Sequence, residues 1–234
     1  MDSETIELLR RYVRQQEEFG YPPLIIAPGG GLPEGGDRPE RGADAASAEA
    51  ALAAFRDEVD GCDRCGLHQK RTKLVFGAGN PGAELMFVGE GPGGDEDRIG
   101  EPFVGRAGQL LDKILGAAGI DRAEVYITNI VKCRPPGNRD PEPEEIATCL
   151  PVLRRQIEII DPKIICALGR HASQTLLGRV DSIGRMRGRW YDWEGRKLIC
   201  TYHPSACLRN ADYKRPVWED FKLLREAYRA FRPR

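Results

Sequence analysis

No stretch of these 234 residues approaches the roughly 18–20 consecutive apolar residues that a membrane span requires. The first 16 residues are charged and helical in pattern, so no apolar leader core is read there either. Histidine is scarce, with three in the chain, so imidazole chemistry is confined to His68, His171 and His203. Net charge is nearly absent: 35 Lys and Arg stand against 36 Asp and Glu. No internal repeat is present. The seven cysteines are an odd number, which disfavours a disulfide framework. Together these absences predict a cytoplasmic protein whose thiols are free or bound to metal.

The small net charge conceals a gradient. Residues 1–60 sum to −7, residues 61–169 to −2 and residues 170–234 to +8. A basic C-terminal third is either an ordinary solvated surface or a face that meets phosphate.

Residues 1–20 have the pattern of an amphipathic helix, with Ile6, Leu8, Leu9 and Val13 as its apolar positions. Residues 21–50 read as a flexible linker, since eleven of the thirty are Gly or Pro. From residue 51 to 234 the pattern is that of one domain. Helices are expected at 51–59, 108–118, 144–160, 171–177 and 217–231. Strands are expected at 84–88, 125–131, 163–168 and 197–202, with an edge hairpin at 189–195. Alternating strands and helices predict an α/β fold with a parallel sheet covered on both faces. In such sheets ligands bind beyond the carboxyl ends of the strands.

Cys62 and Cys65 form a C-x-x-C pair, while Cys133 and Cys149 are well-separated singles. Four thiolates brought together by folding suit an iron–sulfur cluster or a structural zinc. Cys166 and Cys200 fall in apolar strands and read as core.

Three strand ends are chemically unusual. The first is Gly89-Glu90-Gly91-Pro92-Gly93, followed by Glu96 and, shortly after, Glu101-Pro102-Phe103-Val104-Gly105. It lacks the Gly-Lys-Ser/Thr of a P-loop, and Pro92 breaks a dinucleotide fingerprint. Phe103 reads as a core plug or as a platform for a flat ring. The second end carries Asn129, whose carboxamide both donates and accepts; it reads as a cap or as a reader of a nucleobase edge. The third is His203-Pro204-Ser205-Ala206-Cys207-Leu208-Arg209-Asn210, where a regular helix is not expected directly after His203. His203 is the candidate electrophile or acid; His68 and His171 read as structural or surface residues.

In this order, these motifs, with Ile127-Thr128-Asn129-Ile130-Val131-Lys132-Cys133-Arg134-Pro135-Pro136, resemble the iron–sulfur (family-4) uracil-DNA glycosylases over roughly residues 55–231. The resemblance implies a three-layer αβα sandwich around a four-stranded parallel sheet, forming a single catalytic domain. It implies a monofunctional glycosylase that flips uracil out of DNA and hydrolyses its N-glycosidic bond in base excision repair. It places a [4Fe–4S] cluster on Cys62, Cys65, Cys133 and Cys149. Phe103 would stack on uracil, Asn129 would read its Watson–Crick edge, and His203 would donate to O2. Glu90 and the backbone of Gly91 would position water or the sugar. Glu96 would crowd the C5 side and exclude thymine's methyl group. Leu208 and Arg209 would press into the duplex, and Arg185, Arg187, Arg189, Lys214 and Arg215 would meet phosphates.

Gly91 departs from the Ala common in that family and from the Asp used by other families to activate water. The interval 134–148 holds no His and no basic insertion of the kind found in glycosylases that trap themselves on DNA. Turnover is therefore expected, by a monomer acting on single- or double-stranded DNA, with a protein partner for residues 1–20. Two other readings remain at this point: a non-catalytic iron–sulfur DNA-binding module that recruits a partner through its N-terminal extension, and a zinc protein with an unrelated nucleotide-binding role.

Overall fold

The computed structural model describes residues 45–231. The amphipathic segment 1–20 and nearly all of the linker lie outside them. The first described helix, α1 (Ala45–Val59), begins within the segment read as linker. Ala48 and Leu52 are buried along it, which draws the helix back from residue 51.

Six strands form one sheet: β1 (Ala78–Gly79), β2 (Leu85–Gly89), β3 (Tyr126–Asn129), β4 (Ile164–Leu168), β5 (Trp190–Trp193) and β6 (Arg196–Thr201), in the order β1-β3-β2-β4-β6-β5. The four central strands are parallel, as expected from the alternation of strands with helices. Every residue of β2, β3 and β4 is buried. The two edge strands are antiparallel additions. β5 joins β6 through Glu194 and Gly195, both at positive φ, the conformation of a two-residue hairpin turn.

The strands' alternation separates the two faces. Leu85, Phe87, Ile127, Cys166, Leu168 and Ile199 pack with α3 (Arg106–Ala118) and α8 (Lys214–Arg229). Phe87 stacks on Phe221 of α8, with ring centroids 6.0 Å apart. α4 (Pro143–Ile160) covers the other face. Its Gln156 is fully buried, donating to the Phe76 carbonyl and accepting from Thr128. The N-terminus of α4 is closed by a capping box between Glu142 and Glu145.

The register places the working ends of the strands together. Gly89 pairs with Asn129, Val88 with Ala167 and Leu168 with Thr201. Glu90, Asn129, Gly169 and His203 therefore emerge at or next to one edge of the sheet. Among the described residues no helix is long and apolar enough to cross a membrane.

Candidate functional site

Asn129 ends β3 almost wholly buried, 1% exposed. Its Oδ1 is the one buried side-chain oxygen among the described residues without a hydrogen-bond partner. Leaving such an atom unpaired costs roughly 1–3 kcal/mol, so the fold holds it open against a penalty. Gly89 makes room for it: a Cβ there would lie 2.4 Å from Asn129 Oδ1 and 2.8 Å from the Phe103 ring.

Phe103 is also buried, at φ +54, a conformation an aromatic residue adopts only when its surroundings impose it. Two contacts impose it here. Glu96, on the short helix α2 (Gly94–Ile99), accepts at Oε1 from the main-chain N–H groups of Val104 (3.0 Å) and Gly105 (2.8 Å). Gly108, in the first turn of α3, lets the Phe103 carbonyl approach to 1.8 Å from where a Cβ would stand. The structure thus gives Glu96 the role of clamping the Phe103 turn.

His203 lies beside Phe103, with ring centroids 5.3 Å apart and planes tilted by 32°. Contrary to the sequence expectation, the chain enters a helix at once. Pro204 is the first residue of α7 (Pro204–Arg209), where its missing N–H costs nothing, and His203 is the extended N-cap. Nδ1 of His203 accepts from the Ser205 main-chain N–H at 3.1 Å and lies 2.8 Å from Ser205 Oγ. Burial, and then the Arg209 guanidinium, push its pKa down to about 4. The ring is therefore neutral near pH 7, and its proton sits on Nε2.

Glu90 follows β2, with its backbone pinned to the chain just beyond β3 by Val131 N donating to Glu90 O at 3.1 Å. Its side chain is half-buried and 3.9 Å from His171 Nε2. Burial raises its pKa, while His171, Arg170 and Arg209 oppose that rise. Gly91 sits against Val131, whose Cγ2 would be 2.8 Å from a Cβ at 91. Leu208 is exposed at the end of α7, with Arg209 next to it. Arg185, Arg189, Lys214 and Arg215 are also exposed. Arg187 is engaged elsewhere: its guanidinium grips the buried carboxylate of Asp220, donates to the Pro216 carbonyl and lies over the Tyr202 ring.

Cys62, Cys65, Cys133 and Cys149 line one cavity with Arg64, His68, Arg71 and Lys132. All four cysteines are free. Arg71 donates to Cys133 Sγ at 3.2 Å, and the Lys132 main-chain N–H to Cys149 Sγ at 3.4 Å. Burial pushes the Cys149 thiol up to about 12. A tetrahedral zinc with bonds of ~2.3 Å would hold its sulfurs ~3.8 Å apart. Four such thiolates are the ligand set that either a zinc ion or an iron–sulfur cluster takes. N–H groups aimed at sulfur also fit thiolate ligation of a cluster.

Lys132 ties this cavity to the pocket. Its buried ammonium donates to Thr128 Oγ1 (2.6 Å), the Asn129 carbonyl (2.7 Å) and Gln156 Oε1 (2.6 Å). Burial lowers its pKa to about 7. No role for Lys132 or Asp140 was read from the sequence, and His171 read as a structural or surface residue, although His171 lies in the first turn of the helix after β4, the one central strand end left unread there.

The family model of the uracil DNA glycosylase superfamily matches residues 76–222. The chain is 47% identical to the type-4 uracil-DNA glycosylase of Sulfurisphaera tokodaii, over 75% of this chain and 84% of that protein. It is 48% identical to the type-4 enzyme of Thermotoga maritima, over 74% and 93% of the two chains. It is 32% identical to the type-5 uracil-DNA glycosylase of Thermus thermophilus, over 76% and 90%.

Proposed function

We propose, for a chain that belongs to the uracil DNA glycosylase superfamily, a division of labour among the pocket residues. The chain is a uracil-DNA glycosylase of DNA repair, hydrolysing the bond between uracil N1 and the deoxyribose C1′. The observation that carries the residue assignment is the unpaired, buried Oδ1 of Asn129 beside Phe103 and His203.

Uracil extruded from the stack enters against Phe103. Asn129 Oδ1 accepts from uracil N3–H and its amide donates to O4. Cytosine presents the reverse pattern and would leave both groups unpaired, at roughly 1–3 kcal/mol each. As the glycosidic bond breaks, its electron pair stays with the base, and charge gathers on O2. The neutral His203 donates from Nε2 to that oxygen, a stabilisation that grows with the charge. Water attacks C1′ of the oxocarbenium-like sugar, and Glu90 accepts its proton. With Gly91 offering no side chain, Glu90 is the carboxylate to which this reading assigns the task. Leu208 fills the gap left in the duplex, while Arg185, Arg189, Arg209, Lys214 and Arg215 meet phosphates.

Cys62, Cys65, Cys133 and Cys149 would hold a [4Fe–4S] cluster. When bound, it would cross-link the segment after α1, the chain beyond β3 and helix α4; no step of the hydrolysis passes through it.

The test is excision from a labelled oligonucleotide containing one uracil, single-stranded and opposite G or A, beside a thymine control. Alkali-labile cleavage at uracil alone, over many turnovers, is expected. DNA binding without cleavage would instead favour the recruiting-module reading.

A further inference from the structure

The catalytic assignment leaves one cluster unexplained. At the pocket edge, His171 Nε2 lies 3.0 Å from Asp140 Oδ2 and 3.9 Å from Glu90 Oε2. The three ligand-type atoms fall within 4.8 Å of one another, as a cation site requires. Arg170 argues against a metal there: its guanidinium is 2.8 Å from both Asp140 Oδ2 and His171 Nε2, so a cation is already present.

The cluster is built from rigid parts. Arg170 and His171 are the first residues of α5 (Arg170–Leu177), fixed to the end of β4. Asp140 belongs to the loop before α4, where the adjacent Arg139 forks onto Glu145 at 2.9 and 2.7 Å and donates to the Asp140 carbonyl. Asp140 is mostly exposed, and His171 holds its carboxyl below the usual range. Glu90 is half-buried and is the partner that would face the sugar.

We propose that His171, anchored by Asp140, is a positioning residue for Glu90, holding its carboxylate at the pocket edge and ionised for the attacking water. This inference rests on the assignment of Glu90 as the base. A carboxylate sunk into a pocket loses hydration and tends to take up a proton, which would disable it as a base. The charged groups acting on Glu90 are His171 and Arg170 from α5, Asp140 from the loop and Arg209 from α7. Among these, His171 opposes protonation most strongly, and Asp140 alone favours it. At 3.9 Å the His171–Glu90 contact is electrostatic, without a direct hydrogen bond.

The experiment measures single-turnover uracil excision against pH for the full chain with its cluster, in wild type, His171→Gln, His171→Lys and Glu90→Gln. In His171→Gln the acid limb should move to higher pH by about one unit, so the rate at its foot falls about tenfold while the alkaline plateau stays within about twofold. His171→Lys, which places a cation there, should restore much of the limb. Affinity for DNA carrying a non-hydrolysable uracil analogue should be unchanged in both variants. An unshifted limb in His171→Gln, or an equal loss at every pH, overturns the inference. Failure of the underlying reading looks different: wild type that excises no uracil, or Glu90→Gln that excises like wild type, removes the base assignment and this inference with it.

Discussion

The main-chain N–H of Ser205 donates to Nδ1 of His203 at 3.1 Å, and this contact decides which ring nitrogen carries the proton. A helix cap two residues beyond β6 thereby becomes a neutral N–H donor beside Phe103. Heteronuclear NMR of the labelled imidazole should find the Nε2–H tautomer from pH 6 to 8. His203→Ala should slow excision by roughly 10²–10³-fold, the usual loss for one donor to a developing oxyanion. The same burial has a stability signature. The folded-state pKa lies below the ordinary value of 6.5, at about 4, so the unfolded chain binds the extra proton in between. Stability from this group is full above pH 6.5 and is lost as pH falls toward 4. Melting temperature should therefore fall more steeply over that interval in wild type than in His203→Gln.

Asn129 should separate function from stability. Its Oδ1 has no partner in the folded protein, so removing the carboxamide relieves a desolvation penalty while losing some packing. Asn129→Ala should stay within about 1 kcal/mol of wild-type stability, while excision falls by about 10²-fold or more. Denaturant unfolding alongside single-turnover kinetics checks both halves. Unchanged excision would remove Asn129 from the pocket assignment.

The central strands were legible because parallel strands buried on both faces are written as short apolar runs; β2, β3 and β4 fall within about two residues of expectation at their ends. β1 was not, since its two residues carry no pattern and pair with Ile127 and Tyr126 through tertiary placement. Phe103, Asn129 and His203 were singled out from motif order, and the fold sets the three near one another. Asp140 and His171 were not: each is an ordinary polar residue in sequence, and only the fold sets them beside Glu90. Arg187 shows the converse. It belongs to a basic stretch, yet a buried carboxylate one helix away claims its guanidinium.

Two glycines of one motif should respond differently to the same change. A Cβ at Gly89 would meet Asn129 Oδ1 and the Phe103 ring, so Gly89→Ala displaces both side chains. A Cβ at Gly91 would meet Val131 Cγ2 at 2.8 Å, with Pro135 at 3.6 Å, which strains packing without touching that pair. Gly89→Ala should lose about 10²-fold or more in excision, and Gly91→Ala less than about tenfold with a modest fall in melting temperature. Equal kinetic losses in the two variants would contradict this geometry.

Cys133→Ser tests the cavity of thiols separately from the pocket. Cys133 accepts from Arg71, whose guanidinium also holds the Cys62 carbonyl, so one sulfur anchors two of the converging segments. The variant should accumulate poorly as soluble protein, and what is recovered should lack visible absorbance and hold fewer than the roughly four irons of a cubane cluster. Metal analysis that finds zinc and no iron in wild type would instead assign the four thiolates to a single ion.

The last prediction turns on Glu96, for which sequence and structure offer different tasks. As a wall against the C5 methyl of thymine, its removal would admit thymine. As the clamp whose Oε1 accepts from Val104 and Gly105, its removal would release the turn that forces Phe103 to φ +54. The second task follows from hydrogen bonds to a carboxylate that is 9% exposed, and such bonds are worth roughly 1.5–3 kcal/mol each when the acceptor is charged. Glu96→Ala should therefore lower stability by about 2 kcal/mol or more, raise KM for uracil-containing DNA, and leave thymine uncut. Glu96→Gln retains an acceptor oxygen and should recover most of the lost affinity. Thymine excision by Glu96→Ala, with stability intact, would restore the wall and discard the clamp.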